Sequence, residues 1–352
     1  MQDRFFTHTQ NISSLARCLA AVKSTFEPQG IAVHTADRLP TSKSSDTHLY
    51  VSIGNHDNYK KLVGRPDVVL SGFMVTESPV VEPKIFSKLK SAGHYYKRLF
   101  SCIDQSEMAR LVRAKLDYIT LRWPMDFRTV DEPLWSRSGR KFLTMINMNK
   151  LPRVYDRELY TERMRAVEFF SRTDEIDLYG VGWSHASRRM GYTWVPWTIR
   201  KRQIAFQDWV DKIWPDPLLV AARKVYKGEL SEKWETLSLY DFSLCFENVQ
   251  MKGWLTEKLF ECFRVGTIPI YWGATDIEEL VPSNCFIDMR QFANYAELHA
   301  FLRGLSPTAV KRYKEAARGF LESRAFEPFS KERFIEIFRA ILKEDAGIST
   351  TV

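Results

Sequence analysis

Residues 240–273, YDFSLCFENVQMKGWLTEKLFECFRVGTIPIYWG, constrain the fold of this chain more than any other stretch. An apolar run, YDFSLCF, opens them and a second, TIPIYW, closes them. Between the two, TEKLFECFRVG has helical spacing, with Thr256 as N-cap and Gly266 as the stop. The apolar runs read as buried strands, and strand, helix, strand in succession predicts a parallel sheet with helices on both faces. In such sheets ligands bind at the carboxyl ends of the strands.

The same rhythm runs through the rest of the C-terminal half. KFLTMINMN reads as a strand, DRELYTERMRAVEFFSR as a helix, EIDLYGVGW as a strand ending in glycines, and NCFIDMRQF as one more strand. Earlier, HLYVSIG and DVVLSGFMV are strand-like, and EMARLVRAKLDYITLRW mixes helical and extended patterns. A chain of 352 residues favours two domains. The polar, turn-rich MDFRTVDEPLWSRSGRK at 125–141 is the best linker, which gives an N-terminal lobe 1–140 and a C-terminal lobe 141–352. The closing pattern, FSKERFIEIFRAILKE, lines Phe334, Ile337, Phe338, Ile341 and Leu342 along one helical stripe behind Ser330 as N-cap. That stripe predicts a docked terminal helix on the C-terminal lobe. Peripheral contact with an anionic membrane surface is its second reading.

Composition narrows the function classes. The net charge of +8 suits an anionic ligand, but no block of five or six like charges appears, so nucleic acid is not expected as a partner. Cys18, Cys102, Cys245, Cys262 and Cys285 are odd in number and irregularly spaced, which argues against a disulfide framework. No C-x-x-C pair, H-E-x-x-H run or Asp-x-Asp triplet offers a metal site, so no protein-bound metal is expected. The N-terminal residues lack the apolar core of a signal peptide, and no apolar run reaches membrane-spanning length. The expectation is a cytoplasmic protein.

The polar cluster between the two strands is the candidate site. Glu247 and Asn248 close the first strand, at the rim of the predicted sheet, and Glu257 and Lys258 lie in the first helical turn after Thr256. A helix N-terminus attracts anions through its free N–H groups and its dipole. Lysine there is unfavourable for the dipole, which points to a negatively charged ligand such as phosphate. A neighbouring carboxylate can accept from ribose hydroxyls, and an asparagine both donates and accepts. On spacing alone, two exposed first-turn charges read equally well.

Sequence detail goes further than spacing. Tyr240, Phe242, Leu244, Phe246, Glu247 and Asn248, then Trp254, Thr256, Glu257 and Lys258, then Thr267, Ile268, Pro269 and Ile270 closely resemble the signature of the bacterial-type α1,3/α1,4-fucosyltransferases, glycosyltransferase family 10. The resemblance covers about a tenth of the chain in detail. It implies an α/β fold of the GT-B type, two Rossmann-like lobes facing a cleft. The C-terminal lobe would take GDP-fucose and the N-terminal lobe the acceptor. It further implies transfer with inversion and donor contacts from Asn248, Trp254, Glu257 and Lys258, with Glu247 beside them. Where the family has Tyr, this chain has Trp254, which keeps stacking but not a phenol hydroxyl.

Two more residues follow from the resemblance. An arginine that clamps the diphosphate, placed by counting back from Gly180, falls on Arg165, with Arg163 as the alternative. A general base after a strand of the N-terminal lobe falls on Glu77, with Glu82 second. The activity implied is transfer of fucose from GDP-fucose to a glycan hydroxyl, such as that of a lipopolysaccharide or capsule precursor. A transferase using another GDP-hexose and a non-catalytic nucleotide-sugar or glycan-binding protein are the alternatives.

Overall fold

The computed structural model describes residues 13–54, 57–189, 196–230 and 232–350. Residues 1–12 of the N-terminal stretch read above as lacking a signal peptide therefore lie outside the described residues. The strands are β1 (His48–Ile53), β2 (Val68–Met74), β3 (Leu99–Ser101), β4 (Ile119–Thr120), β5 (Lys141–Ile146), β6 (Lys150–Leu151), β7 (Ile176–Tyr179), β8 (Arg188–Arg189), β9 (Tyr240–Phe246), β10 (Ile268–Trp272) and β11 (Ile287–Asp288). The longer helices are α1 (Ser14–Phe26), α2 (Pro83–Ala92), α3 (Gln105–Val112), α4 (Tyr160–Ser171), α5 (Trp197–Ile213), α6 (Pro217–Val225), α7 (Glu257–Val265), α8 (Tyr295–Gly304), α9 (Pro307–Glu322) and α10 (Lys331–Ala346).

The chain divides into two compact units, Met1–Arg128 with Glu322–Val352, and Thr129–Leu321. Unit 1 is built on a four-stranded sheet in the order β1-β2-β3-β4, parallel throughout. Cys18, Leu19, Val22 and Phe26 of α1 bury with Phe334, Ile341 and Leu342 of α10 against Met74 and Phe100 of the sheet. Ser330 caps α10 as the sequence suggested, its hydroxyl accepting from Arg333 N at 3.2 Å. The terminal helix thus packs in unit 1, whereas the sequence reading assigned it to the C-terminal lobe. Its apolar stripe, the proposed membrane face, is spent on this packing.

Unit 2 holds a five-stranded parallel sheet in the order β11-β10-β9-β5-β7. Strand β9 is buried along almost its whole length, as a central parallel strand must be. On one face Phe242, Leu244 and Phe246 join Ala166, Val167 and Phe170 of α4, Leu219 and Ala222 of α6, and Leu298 and Leu302 of α8. On the other, Cys245 meets Cys262 of α7, their sulfurs 3.4 Å apart. All five cysteines are free thiols and buried.

The stretch expected to be a linker is instead bound to unit 2 from residue 129 onward. Arg140 donates to Leu134 O (2.8 Å), Trp135 O (3.0 Å), Val265 O (2.8 Å) and Tyr240 O (3.1 Å). One guanidinium with its full set of donors satisfied this way leaves little freedom for a hinge at 140. The division falls at Arg128/Thr129 instead.

Candidate active site

Strand order fixes where a ligand can sit in unit 2. From β5 the chain goes to β7 on one side, and β9, β10 and β11 build outward on the other. The order therefore reverses between β5 and β9, and the crevice beyond the carboxyl ends of these strands is the binding position of open α/β sheets. Glu247 is the first residue after β9, and its N–H continues the ladder to Trp272 O at 2.8 Å.

The Glu247 side chain is wholly buried. Its carboxylate accepts from Thr256 N (2.8 Å), from Thr256 Oγ1 (2.7 Å) and from Lys258 Nζ (2.7 Å). Thr256 is the N-cap of α7, but its own side chain does not cap the helix. A carboxylate from the neighbouring strand does so instead, which suits the positive end of the helix dipole. Lys258 Nζ also donates to Thr256 Oγ1 at 2.8 Å.

Gly273 makes room for this arrangement. A Cβ there would lie 2.5 Å from Glu247 Cγ and 2.5 Å from Tyr271 Oη. Tyr271 Oη in turn accepts from Ala274 N at 2.9 Å. The missing side chain thus accommodates the buried carboxylate from within.

The two sequence-chosen arginines part company. Arg163 lies within the buried stripe of α4, and its Nη2 and Nε donate to Phe246 O at 2.7 and 3.2 Å. Its plane lies over the Tyr160 ring, 4.6 Å from the centroid. Burial pulls its pKa below the ordinary value, although Tyr160 and Glu247 act against this. Arg165 is turned outward, its side chain 59% exposed and paired with Glu162 at 2.5 Å. The structure brings Arg163, not Arg165, to the end of β9, so the preference between them is reversed.

Asn248 and Trp254 act as a pair. The Trp254 indole N–H donates to Asn248 Oδ1 at 3.0 Å, which occupies the amide oxygen and leaves the Nδ2 donors as what Asn248 offers. Trp254 itself is 1% exposed, so the ring expected to stack on a ligand lies in the core of unit 2. The link between β9 and α7 is held by Gln250 N donating to Arg157 O and Gly253 N to Asp276 Oδ1, both at 2.8 Å. Leu159 N also donates to Asn248 O at 3.2 Å, which ties the start of α4 to the end of β9.

Charges within the cluster sustain one another. Burial works to lower the Lys258 pKa, but Glu247 and Glu257 hold it above the ordinary lysine value. Burial works to raise Glu257, and Lys258 and Lys233 outweigh it, so this half-buried carboxylate stays below the usual range and ionised. Lys233 is itself paired with Glu261. Two cations, Arg163 and Lys258, thus stand with two anions, Glu247 and Glu257. Of the four, Lys258 and Glu257 retain partial exposure.

Glu77 and Glu82 belong to unit 1. Glu77 is exposed just beyond β2, and Glu82 is half-buried at the N-cap of α2. Among the described residues, no cluster of three or more His, Cys, Asp or Glu could hold a metal ion.

Comparison with known proteins bears on the family and the fold. Residues 220–318 match the profile described as glycosyltransferase family 10 (fucosyltransferase) C-term. An alpha-(1,3)-fucosyltransferase, FucT, of Helicobacter pylori is 29% identical over 146 residues, 40% of this chain and 30% of that protein. Human alpha-(1,3)-fucosyltransferase 7 is 35% identical over 105 residues, 29% of this chain and 30% of its own length. Each match thus spans less than a third of the relative. A glycosyltransferase structure from Rickettsia africae superposes with a TM-score of 0.50 at 12% identity, covering 96% of this chain and 84% of that one. It shares the α/β fold with parallel sheets, the class expected of a GT-B protein. The span 220–318, which contains Glu247, Asn248, Glu257 and Lys258, is thus similar to the C-terminal region of glycosyltransferase family 10, the fucosyltransferases.

Proposed function

We propose that this chain is an inverting fucosyltransferase that moves fucose from GDP-fucose to a hydroxyl of a glycan acceptor. The observation that carries the proposal is the buried Glu247–Thr256–Lys258 cap at the reversal point of the unit 2 sheet, within the span that matches the fucosyltransferase family. Lys258 and the first-turn N–H groups of α7 face the diphosphate, Asn248 Nδ2 donates to it, and Arg163, buried behind them at the end of β9, adds its positive charge. The ionised Glu257 accepts from the ribose hydroxyls. Trp254 contributes by fixing Asn248.

In the transfer, the acceptor oxygen attacks the anomeric carbon as the bond from that carbon to the β-phosphate oxygen breaks. GDP leaves with the bonding electrons, and the configuration inverts. The acceptor proton passes to a carboxylate, which we assign to Glu77, with Glu82 as second choice. Arg163 and Lys258 stabilise the charge that develops on the leaving diphosphate. Arg165 has no part in this scheme.

A calorimetric panel of GDP, GDP-fucose, GDP-mannose and UDP-glucose tests the reading. Binding of GDP-fucose and GDP, with UDP-glucose silent, supports it, as does turnover with a glycan acceptor that Glu77→Gln abolishes while donor affinity is kept. Preference for GDP-mannose would retain the site and change the donor. Folded protein that binds no guanine nucleotide would sink the proposal.

A further inference from the structure

Helix α5 carries an apolar face that the described residues of unit 2 leave uncovered. Ile199, Phe206 and Ile213 recur every seven residues, and Trp209 falls three after Phe206 on the same stripe. They are 50%, 62%, 46% and 56% exposed, and Trp214, just past the helix, is 78% exposed. The rings of Phe206 and Trp209 stack at 5.8 Å, so the stripe is continuous. Single exposed apolar residues are ordinary, but an aligned run of two aromatics and two isoleucines on one helix marks an interaction surface.

The charges on α5 are sorted around that stripe. Its only acids are Asp208 and Asp211. Asp208 accepts from Ala186 N at 3.0 Å and lies 3.4 Å from His185 Nδ1, and Asp211 pairs with Arg223 at 2.5 Å. Both therefore face the body of unit 2. Lys201, Arg202 and Lys212 are exposed, Arg202 within the stripe and the two lysines along one flank. An apolar face with aromatic residues, bordered by cations and free of acids, fits the interface of an anionic bilayer, where the rings enter the headgroup layer and the cations meet lipid phosphates. A second copy is the poorer occupant, because a two-fold contact would set the same cations against one another. No helix among the described residues is long and apolar enough to cross a membrane, so the contact would be peripheral.

We propose that α5 is a membrane-surface helix that docks unit 2 on an anionic lipid layer. This role replaces the one the sequence suggested for α10, whose stripe is buried, and it stands independently of the donor site.

Co-sedimentation with vesicles of equimolar phosphatidylglycerol and phosphatidylcholine tests it, with phosphatidylcholine vesicles alongside. The full chain should bind the anionic vesicles and leave the neutral ones. Phe206→Ser with Trp209→Ser should weaken binding by about tenfold or more, since both rings lose their lipid contact. Lys201→Gln and Arg202→Gln should each weaken it about fivefold, as expected for one cation at an anionic surface. All four positions are exposed, and an unchanged melting temperature confirms that each variant is folded. The proposal is overturned if neither vesicle binds, if both bind equally, or if the Phe206/Trp209 variant binds undiminished. A dimer of the wild-type chain that this variant dissolves would assign the face to a second copy and also overturn it.

Discussion

Glu247 and Lys258 form an asymmetric pair: their charged atoms are 2.7 Å apart, yet the carboxylate is wholly buried while the lysine keeps 22% of its side chain exposed. A ligand can therefore reach the cation and not the anion. Lys258→Ala leaves the buried carboxylate with only the Thr256 donors, a loss of about 3 kcal/mol of stability. The same change should weaken GDP binding at least about tenfold by removing a phosphate donor. Glu247→Gln should relieve part of the stability loss in the double variant, with a coupling of about 1–3 kcal/mol. Urea denaturation reads the first effect and calorimetry the second. Unaltered GDP affinity in folded Lys258→Ala would take this lysine out of the donor site.

Arg163 and Arg165 are two residues apart and should behave as opposites. Arg165→Ala removes only an exposed ion pair and should change stability by no more than about 0.5 kcal/mol, with GDP binding kept. Arg163→Ala leaves Phe246 O buried without its donor, at a cost of about 1–3 kcal/mol, and should reduce GDP affinity at least about tenfold. Arg163→Lys should not restore it, since an ammonium cannot reproduce the fork. An equal loss of GDP affinity in Arg165→Ala would return the diphosphate role to that residue.

The signal that separates these arginines was present in the sequence. Tyr160, Arg163, Val167 and Phe170 follow the spacing of one helical face, and all are buried. Arg165 is about 200° round the helix from Arg163. Counting positions from Gly180 ignored that periodicity. The strand–helix–strand of 240–273 was legible because apolar runs, an N-cap and a C-terminal glycine agree locally, and Gly266 does end α7 with φ 69°. What was not legible depends on packing between distant segments. Nothing in FSKERFIEIFRAILKE says which sheet its apolar stripe will cover, and Trp254 could have stacked on a ligand as readily as filled a core. Gly273, too, shows its purpose only in the packed sheet, where it accommodates Glu247 and Tyr271.

That glycine gives a third test. Gly273→Ala places a methyl 2.5 Å from both Glu247 Cγ and Tyr271 Oη, so the carboxylate or the ring must shift. Overpacking of this kind costs about 1–3 kcal/mol. Because the displaced group caps α7, GDP affinity should fall together with the denaturation midpoint. A variant as stable as the wild type would mean that the cap tolerates displacement and that Gly273 is not kept for it.

Acid should weaken the hold of unit 1 on the terminal helix through one carboxylate. Asp345 of α10 accepts from Lys97 Nζ at 2.9 Å and from Arg98 Nη1 at 2.8 Å, with its side chain 1% exposed. Burial works to raise its pKa, but the hydrogen bonds from Arg98, Ser71 and Lys97 outweigh this and lower it from 3.8 to about 2. A carboxylate held below its unfolded value stabilises the fold fully above the unfolded pKa, and loses that contribution as pH falls through the folded one. The drop corresponds to about 2 kcal/mol, present above about pH 4 and fading toward about pH 2. Asp345→Asn should therefore be less stable than the wild type near neutrality, and the gap should close as pH falls across that window. Urea midpoints of both proteins, compared from about pH 5 to about pH 2, decide the matter. A gap that stayed constant over the whole range would mean that packing around α10, and not the charge on Asp345, sets the difference.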